Sequence, residues 1–483
     1  MNRLLLAALV LATAGAPRPG TAAPQTCVWT GHGGNALWST DGNWTCLAVS
    51  PHGHPQNGDD VGFPDNSQQP VNTNDLSQLV VHHLILDQPE LLVTGNPISL
   101  SSGLEGNPSG LNGSDGPYFD LAIKLTANGE KFENTGGAFM QFDGPLDLNN
   151  HDLTITGTTA FILNGDIGGF GSITKTGNAD AYLQGNNTYA GTTTISNGVL
   201  VVDGAGLGAA GAGNETFVNS GGTLFLTATG KSIAETLSLN DYGYSGLGAL
   251  ATGGFDNVIT SGMDIFGQAA INVLGTAATT LTITAPVSGG TLIKIGDGTL
   301  RLDASAPFVE VDAGVLELNG ADSGTIIRSG ATLAGIGTAF GTTELSDGSF
   351  ASPGTRSGNG AGTLAVQDVN WSAGAQLRFQ LGRSTALSDQ MIVSGNLTHN
   401  GIGSYVFAFS DASTPPLPGV TYTLITFASN QGFAESDFSF AYAGMPAPGQ
   451  GTGMVGAFKL TSTQVQFTPS VVVSDLLFRD GFD

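Results

Sequence analysis

Residues able to do chemistry are few in this chain and widely scattered. The densest charged run is Glu130-Lys131-Phe132-Glu133, with Lys124 just upstream. Paired carboxylates, or a basic group beside a carboxylate-bound cation, are what polysaccharide hydrolysis or elimination requires. A solvated loop accounts for the same four charges. His151 beside Asp152 offers a base and its orienting partner, and reads equally as a corner. Asp59-Asp60 and the Asp-Gly corners at Asp143, Asp203 and Asp347 could supply oxygen ligands to calcium. They lack the nine-residue Gly-Asp repeat of calcium-binding β-rolls, so no cofactor is assigned. Cys27 and Cys46, with His32, His52 and His54 nearby, sketch a metal set whose spacing fits no zinc module. In an exported chain the two cysteines instead point to one disulfide, worth roughly 3 kcal/mol for a loop of about 20 residues. No G-x-S-x-G elbow, H-E-x-x-H helix or phosphate-binding loop occurs. The sequence therefore nominates no catalytic, cofactor-binding or metal-ligating residue.

Composition explains why such groups are sparse. The chain of 483 residues has 73 glycines, 40% hydrophobic residues and only 11% charged ones. That describes short strands joined by tight corners, since glycine supplies the positive φ angles that corners need. Disorder is the competing reading of so much glycine, but disordered chains are poor in hydrophobic residues and do not alternate. With 14 Lys and Arg against 39 Asp and Glu, the formal net charge is −25, and nucleic acid and anionic membrane surfaces are poor partners.

The stretch that would position any side chain is Ile173 to Gly204. It reads as three short strands, with Leu183, Ile195, Leu200 and Val202 at alternating positions. Four or five buried aliphatics, at about 1.5–3 kcal/mol each, cannot offset a backbone entropy cost of about 1–2 kcal/mol per residue. The segment makes sense only as one rung of a stack. A second copy supports this: Ile195, Gly198, Leu200 and Val202 recur in grammar as Val311, Gly314, Leu316 and Leu318. Looser copies surround Gly221, Gly290 and Gly330, at spacings of roughly 16 to 26 residues. An all-β solenoid follows.

The first residues, 1–23, have the pattern of an export signal: Arg3, an apolar run from Leu4 to Ala16, then small residues to Ala23. The run is too short to span a membrane, and no transmembrane segment is expected in the mature chain. Between and after the cysteines come Trp29, Trp38, Trp44 and Pro55-Gln-Asn-Gly-Asp59-Asp60-Val-Gly-Phe63. This resembles the opening segment of proteins carrying the autotransporter-associated β-strand repeat. Residues 165–204 resemble the repeat itself, with Thr174-Lys-Thr-Gly177, the Gly185-Asn-Asn-Thr-Tyr189-Ala-Gly191 corner and Asn197-Gly-Val-Leu-Val.

The resemblance implies a right-handed parallel β-helix, exported and displayed outside a Gram-negative cell. The expected organisation is a cap and first coils over 24–100, the repeat-bearing helix over 101–395, a β-rich cap over 396–468 and a linker with a sorting tail over 469–483. The three tryptophans and the disulfide would cap one end. Phe407, Phe409, Phe427, Phe433, Phe438 and Phe440 would close the other. Tyr189, Gly185 and Gly191 belong to a structural corner. Many relatives continue into a membrane β-barrel of a few hundred residues, for which this sequence leaves no room, so the expectation is that separate export machinery moves the chain or that it stays periplasmic. The ending Phe478 to Asp483 is a candidate tag.

The expected function is a non-catalytic exported module, adhesin-like or structural, with a cell-surface or glycan ligand. The alternative is a polysaccharide-active enzyme whose groove is shaped by loops between Thr227 and Ser288, with Tyr242 and Tyr244 stacking on sugars. Packing against the flank is the other use for those tyrosines.

Overall fold

The computed structural model describes residues 25–47, 52–109, 116–203, 206–227, 230–354, 361–412, 415–442 and 453–473. The export signal, the Phe478 to Asp483 ending and Gly204 lie outside them. Most described turns lay one short strand on each of three faces, the third face carrying none between Gly168 and Lys231, and each strand pairs in parallel with its equivalent one turn on. On the first face Glu130–Asn134, Leu153–Gly157, Ile173–Lys175, Thr193–Ile195 and Thr216–Val218 follow one another. On the second, Met140–Phe142, Phe161–Leu163, Ala181–Leu183, Gly198–Val202 and Gly222–Leu226 do the same. The third face begins as a five-stranded sheet from Leu79–Val81 to Ile167–Gly168 and resumes as a ten-stranded one from Lys231–Ile233 to Phe438–Tyr442. Long strands such as Met263–Val273 bend from the first face into the second and join the two into one sheet. The molecule is a parallel β-helix.

Alternation decides what the interior holds. Ile195, Leu200, Val202, Val311 and Leu316 point inward and are buried. Ile155, Lys175, Ile195 and Val218 form one inward column, and Leu163, Leu183, Val202 and Leu226 another. Each column is covered by its neighbours above and below, which a lone rung could not manage. Turn length varies while the registers hold: Asp303 and its one-turn neighbour Asn319 are 16 residues apart, whereas Asp368 and Asn396 are 28 apart. The extra residues lengthen strands as well as corners: the third-face strand Val315–Leu318 has 4 residues and Gln376–Leu381 has 6.

Both ends are closed by strand reversal. Thr26–Trp29 runs parallel to Asp60–Phe63 and antiparallel to Trp44–Leu47, with Cys27 opposite Cys46. Trp29, Trp38 and Trp44 are buried around Phe63, at ring separations of 4.9 to 6.2 Å. Their ring nitrogens donate to Gln68 O, Asn72 Oδ1 and Trp38 O. Parallel stacking continues past residue 395 through Tyr422–Gln431 and Phe438–Tyr442, after which Gln464–Val473 pairs antiparallel with Tyr422–Gln431 and Gly453–Leu460. Phe407, Phe409, Phe427, Phe433 and Phe438 are buried there with Trp371 and Phe467, and Phe440 packs against them.

Four expectations need correction. Residues 173–203 hold four strands, not three, because Thr193–Ile195 and Gly198–Val202 are split by a two-residue corner. The two sequence copies do not occupy equivalent places: the Thr193–Ile195 copy lies on the first face and the Val309–Val311 copy on the second. A near-threefold coil lets one corner motif serve at either position. Glu130 to Glu133 is not a solvated loop but part of a strand, with Glu130 buried and Lys131 paired to Glu133 at 2.7 Å. Residues 469–473 are not linker, since they extend the last strand, Gln464–Val473. Pro469 lies beside a register shift, a place where sheets accept proline.

Candidate functional site

Two kinds of place hold polar groups: corners inside the stack, and shallow grooves on its flanks. The repeat corner is built around glycine and lysine. Gly198 has φ +71°, and a Cβ there would sit 2.6 Å from Gly177 O and 2.8 Å from Lys175 Nζ. Only glycine fits both the left-handed backbone and the closeness of the coil beneath. Lys175, fully inside, donates from Nζ to Thr176 O, Gly177 O and Asn197 O at 2.8 to 3.1 Å, so one ammonium ties the carbonyls of two successive coils. Lys294 repeats the arrangement with Ile295 O, Gly296 O and Ala313 O at 2.6 to 3.1 Å, beside Gly314 at φ +70°. Burial lowers the pKa of Lys175 to about 8, with Asp180 opposing the shift, and that of Lys294 to about 7, with Asp297 opposing it.

The Asn-Asn-Thr-Tyr corner is equally internal. Tyr189 is fully buried, its hydroxyl 2.5 Å from Thr193 Oγ1, and burial raises its pKa. Asn187 accepts from Ile167 N–H and donates to Gly206 O. Gly185 and Gly191 sit over Gly165 O and Gly171 O, where side chains would overlap the carbonyls. Glu235, Asp322 and Asp389 are buried carboxylates that the sequence reading did not single out; burial pushes their pKa values up to about 7, 6 and 6. Each is held by hydroxyl or backbone donors, from Thr216, from Thr325 and Gly324, and from Gln380 and Gly362. None of the three lines a described groove.

At the amino-terminal cap Cys27 and Cys46 form a disulfide. His52 Nε2 lies 3.8 Å from Cys27 Sγ and 2.6 Å from Asp59 Oδ2, and Asp59 also accepts from Gln56 N–H. His54 pairs with Asp41 and His82 with Asp60, each at 2.7 Å. The thiol sulfurs are spent on each other, and the two adjacent aspartates each face an imidazole. Asp143 accepts from Gln141 and Asn164. Asp203 is exposed just past Gly198–Val202, and the Asp347 carboxylate lies over Gly374.

The groove that comes nearest to a site runs along the five-stranded third face, with a volume of about 600 Å³. Pro97 and Pro145 precede its strands, Ile123 and Leu146 form its floor, and Gly168 and Gly169 keep it open. Asp147 and Asp166 both open into it. The strand register brings Lys124 beside Asp147, at 3.8 Å, and away from the Lys131–Glu133 pair with which it clusters in sequence. Asp147 Oδ1 accepts from Asn149 N–H and Asp166 Oδ1 from Asn186 N–H. These are exposed carboxylates anchored by backbone, suited to accepting ligand hydroxyls. His151 bonds Asn128, and Asp152 bonds Ser172 N–H, so that pair is not assembled as a base and its orienter. The Tyr242–Tyr244 loop folds over the flank: Tyr244 N–H bonds Thr223 Oγ1, and Asn272 donates to Leu247 O.

Residues 173–202 match the family model of the passenger-associated-transport-repeat. The chain is also 27% identical over 387 residues to the adhesin BmaC autotransporter of Brucella suis biovar 1 (strain 1330), an alignment taking in 74% of this chain and 11% of that protein. The chain thus spans about a tenth of the length of the curated relative it matches.

Proposed function

We propose that this repeat-bearing β-helix is a non-catalytic, exported, adhesin-like or structural module that acts at the cell surface or in the extracellular matrix. The observation that carries the reading is where the perturbed groups lie. Lys175, Lys294, Glu235, Asp322 and Asp389, the lysines and carboxylates with large shifts, are buried in the stack. The flank groove offers exposed, backbone-anchored carboxylates instead. An acid–base enzyme needs the reverse arrangement, with the perturbed group in the groove. The repeat and the likeness to an autotransporter adhesin support export and surface display. Its partners on this reading are cell-surface or glycan ligands.

The enzymatic alternative has one observation of its own: Lys124, Asp147 and Asp166 share a groove. One experiment separates the two. Purified chain is tested for binding to cells and to a glycan array, and in parallel for turnover of a polysaccharide panel with Asp147→Asn and Asp166→Asn variants. Binding without turnover is expected. Turnover lost in either variant would replace the adhesive reading with the enzymatic one.

A further inference from the structure

The edge between the first and second faces carries a periodic feature that the repeat does not explain. In Met263–Val273 the register shifts between Ile265 and Gln268, and the displaced Phe266 is 59% exposed. In Thr338–Leu345 the register shifts at the same edge, between Ala339 and Thr342, and the displaced Phe340 is 66% exposed. Between them in the stack lies the half-buried Phe308, whose carbonyl accepts from Leu292 N–H, while Gly324 O of the next turn accepts from Val309 N–H. The three rings fall on alternate turns. The intervening turns present Gly290 and Gly324: a Cβ on Gly290 would overlap Gly267 O, and one on Gly324 would lie 3.2 Å from the Phe308 ring. With strands about 4.8 Å apart, successive rings are about 9.5 Å apart along the axis.

Along the same edge on either side the surface is polar and rich in amides. Asn197 donates to Asn178 Oδ1 and Ser220 to Asp241, each at 2.7 Å. Beyond Phe340, Asn396 bonds Asp368 Oδ1 through both its backbone and side-chain nitrogens, and Gln431 reaches Asn396. Flat aromatic faces at a fixed interval, flanked by amide and carboxylate groups, are the chemistry that recognises a sugar chain: rings stack on apolar pyranose faces while hydroxyls bond the amides. In a β-1,4-linked chain each ring is flipped relative to the last, so the same face returns every second sugar. That interval is close to two strand spacings. The net charge of −25 excludes anionic polysaccharides as favoured partners. An interface with a second copy would call for a continuous apolar patch, and here glycines separate the rings.

We propose that this edge is a binding ridge for a neutral, extended β-1,4-linked hexopyranose chain lying along the solenoid axis, stacked on Phe266, Phe308 and Phe340. The proposal rests on the adhesive reading and names its ligand class. The test is calorimetric titration of the full chain with cellohexaose and chitohexaose, their disaccharides, and polygalacturonate. Variants are Phe266→Ala, Phe340→Ala and Phe340→Trp, with circular dichroism checking that each keeps its fold. At least one neutral hexasaccharide is expected to bind, the disaccharides and polygalacturonate far more weakly. Each alanine variant should weaken binding about tenfold, while Phe340→Trp retains it.

No binding of either hexasaccharide at millimolar concentration overturns the ridge, as does binding indifferent to both alanine substitutions. Light scattering in which the alanine variants abolish self-association overturns it in favour of an interface between copies. Cell adhesion by the wild-type chain that survives both substitutions sinks the ridge and leaves the adhesive reading standing. Absence of any adhesion in the wild type sinks that reading instead.

Discussion

Replacing Lys294 by methionine should make stability respond to pH less than it does in the wild type. The side chain lies in an inward column between Ile271 and Val311, and three carbonyls receive its Nζ. Burial lowers its pKa from 10.5 to about 7. Between those values the unfolded chain holds a proton that the folded chain has released, so wild-type stability rises with pH across that window. At about 1.4 kcal/mol per pKa unit, the rise between pH 7 and 10 approaches about 4 kcal/mol. Methionine fills the same length and does not titrate. Denaturant unfolding of both proteins at pH 6.5, 8 and 9.5 should therefore show the wild-type advantage growing with pH. The repulsion that comes with a charge of −25 is common to both and cancels. The three carbonyls pull the other way, because an ammonium has a donor for each and a neutral amine has only two. An advantage that stays flat or shrinks toward pH 9.5 would mean that those bonds outweigh burial, and the reasoning would fail.

Gly198→Ala should cost about 1–3 kcal/mol, since it forces a left-handed φ on alanine and presses Cβ against Gly177 O; thermal unfolding measures it, and an unchanged midpoint would contradict the corner geometry. Glu235 has its pKa raised to about 7 by burial, so its penalty is present above that pH and relieved on acidification. Glu235→Gln should stabilise the chain by up to about 3 kcal/mol at pH 8 and by almost nothing at pH 4, as read from denaturant midpoints at the two values.

Much of the architecture was legible because the interior is written in alternation. Ile195, Leu200, Val311 and Leu316 announce an inward face by period alone, and Gly198 and Gly314 mark corners by type. What alternation does not encode is which of three faces a strand joins. That depends on how many residues each preceding corner consumes, and so the two copies landed a face apart. Lys175 and Lys294 escaped notice as interior residues because lysine is ordinarily solvated. A signal was present: each occupies an inward slot of its strand, two residues before a corner glycine. Phe266 and Phe340 were invisible because their outward turn comes from register shifts, which depend on the neighbouring coils. Lys124 and Asp147 are far apart in sequence and meet only through strand register.

The unequal turn lengths bear on how the chain responds to force. Peeling one turn near Asp303 frees 16 residues, and one near Asp368 frees 28. Fully stretched, these release about 55 and 95 Å of slack. Pulled from its ends, the spiral should unwind in discrete steps whose size reports position, longer where the coils are wide. A chain drawn through a narrow pore and refolding on the far side would gain its tension in the same uneven increments, each locked when a fresh rung docks on the last.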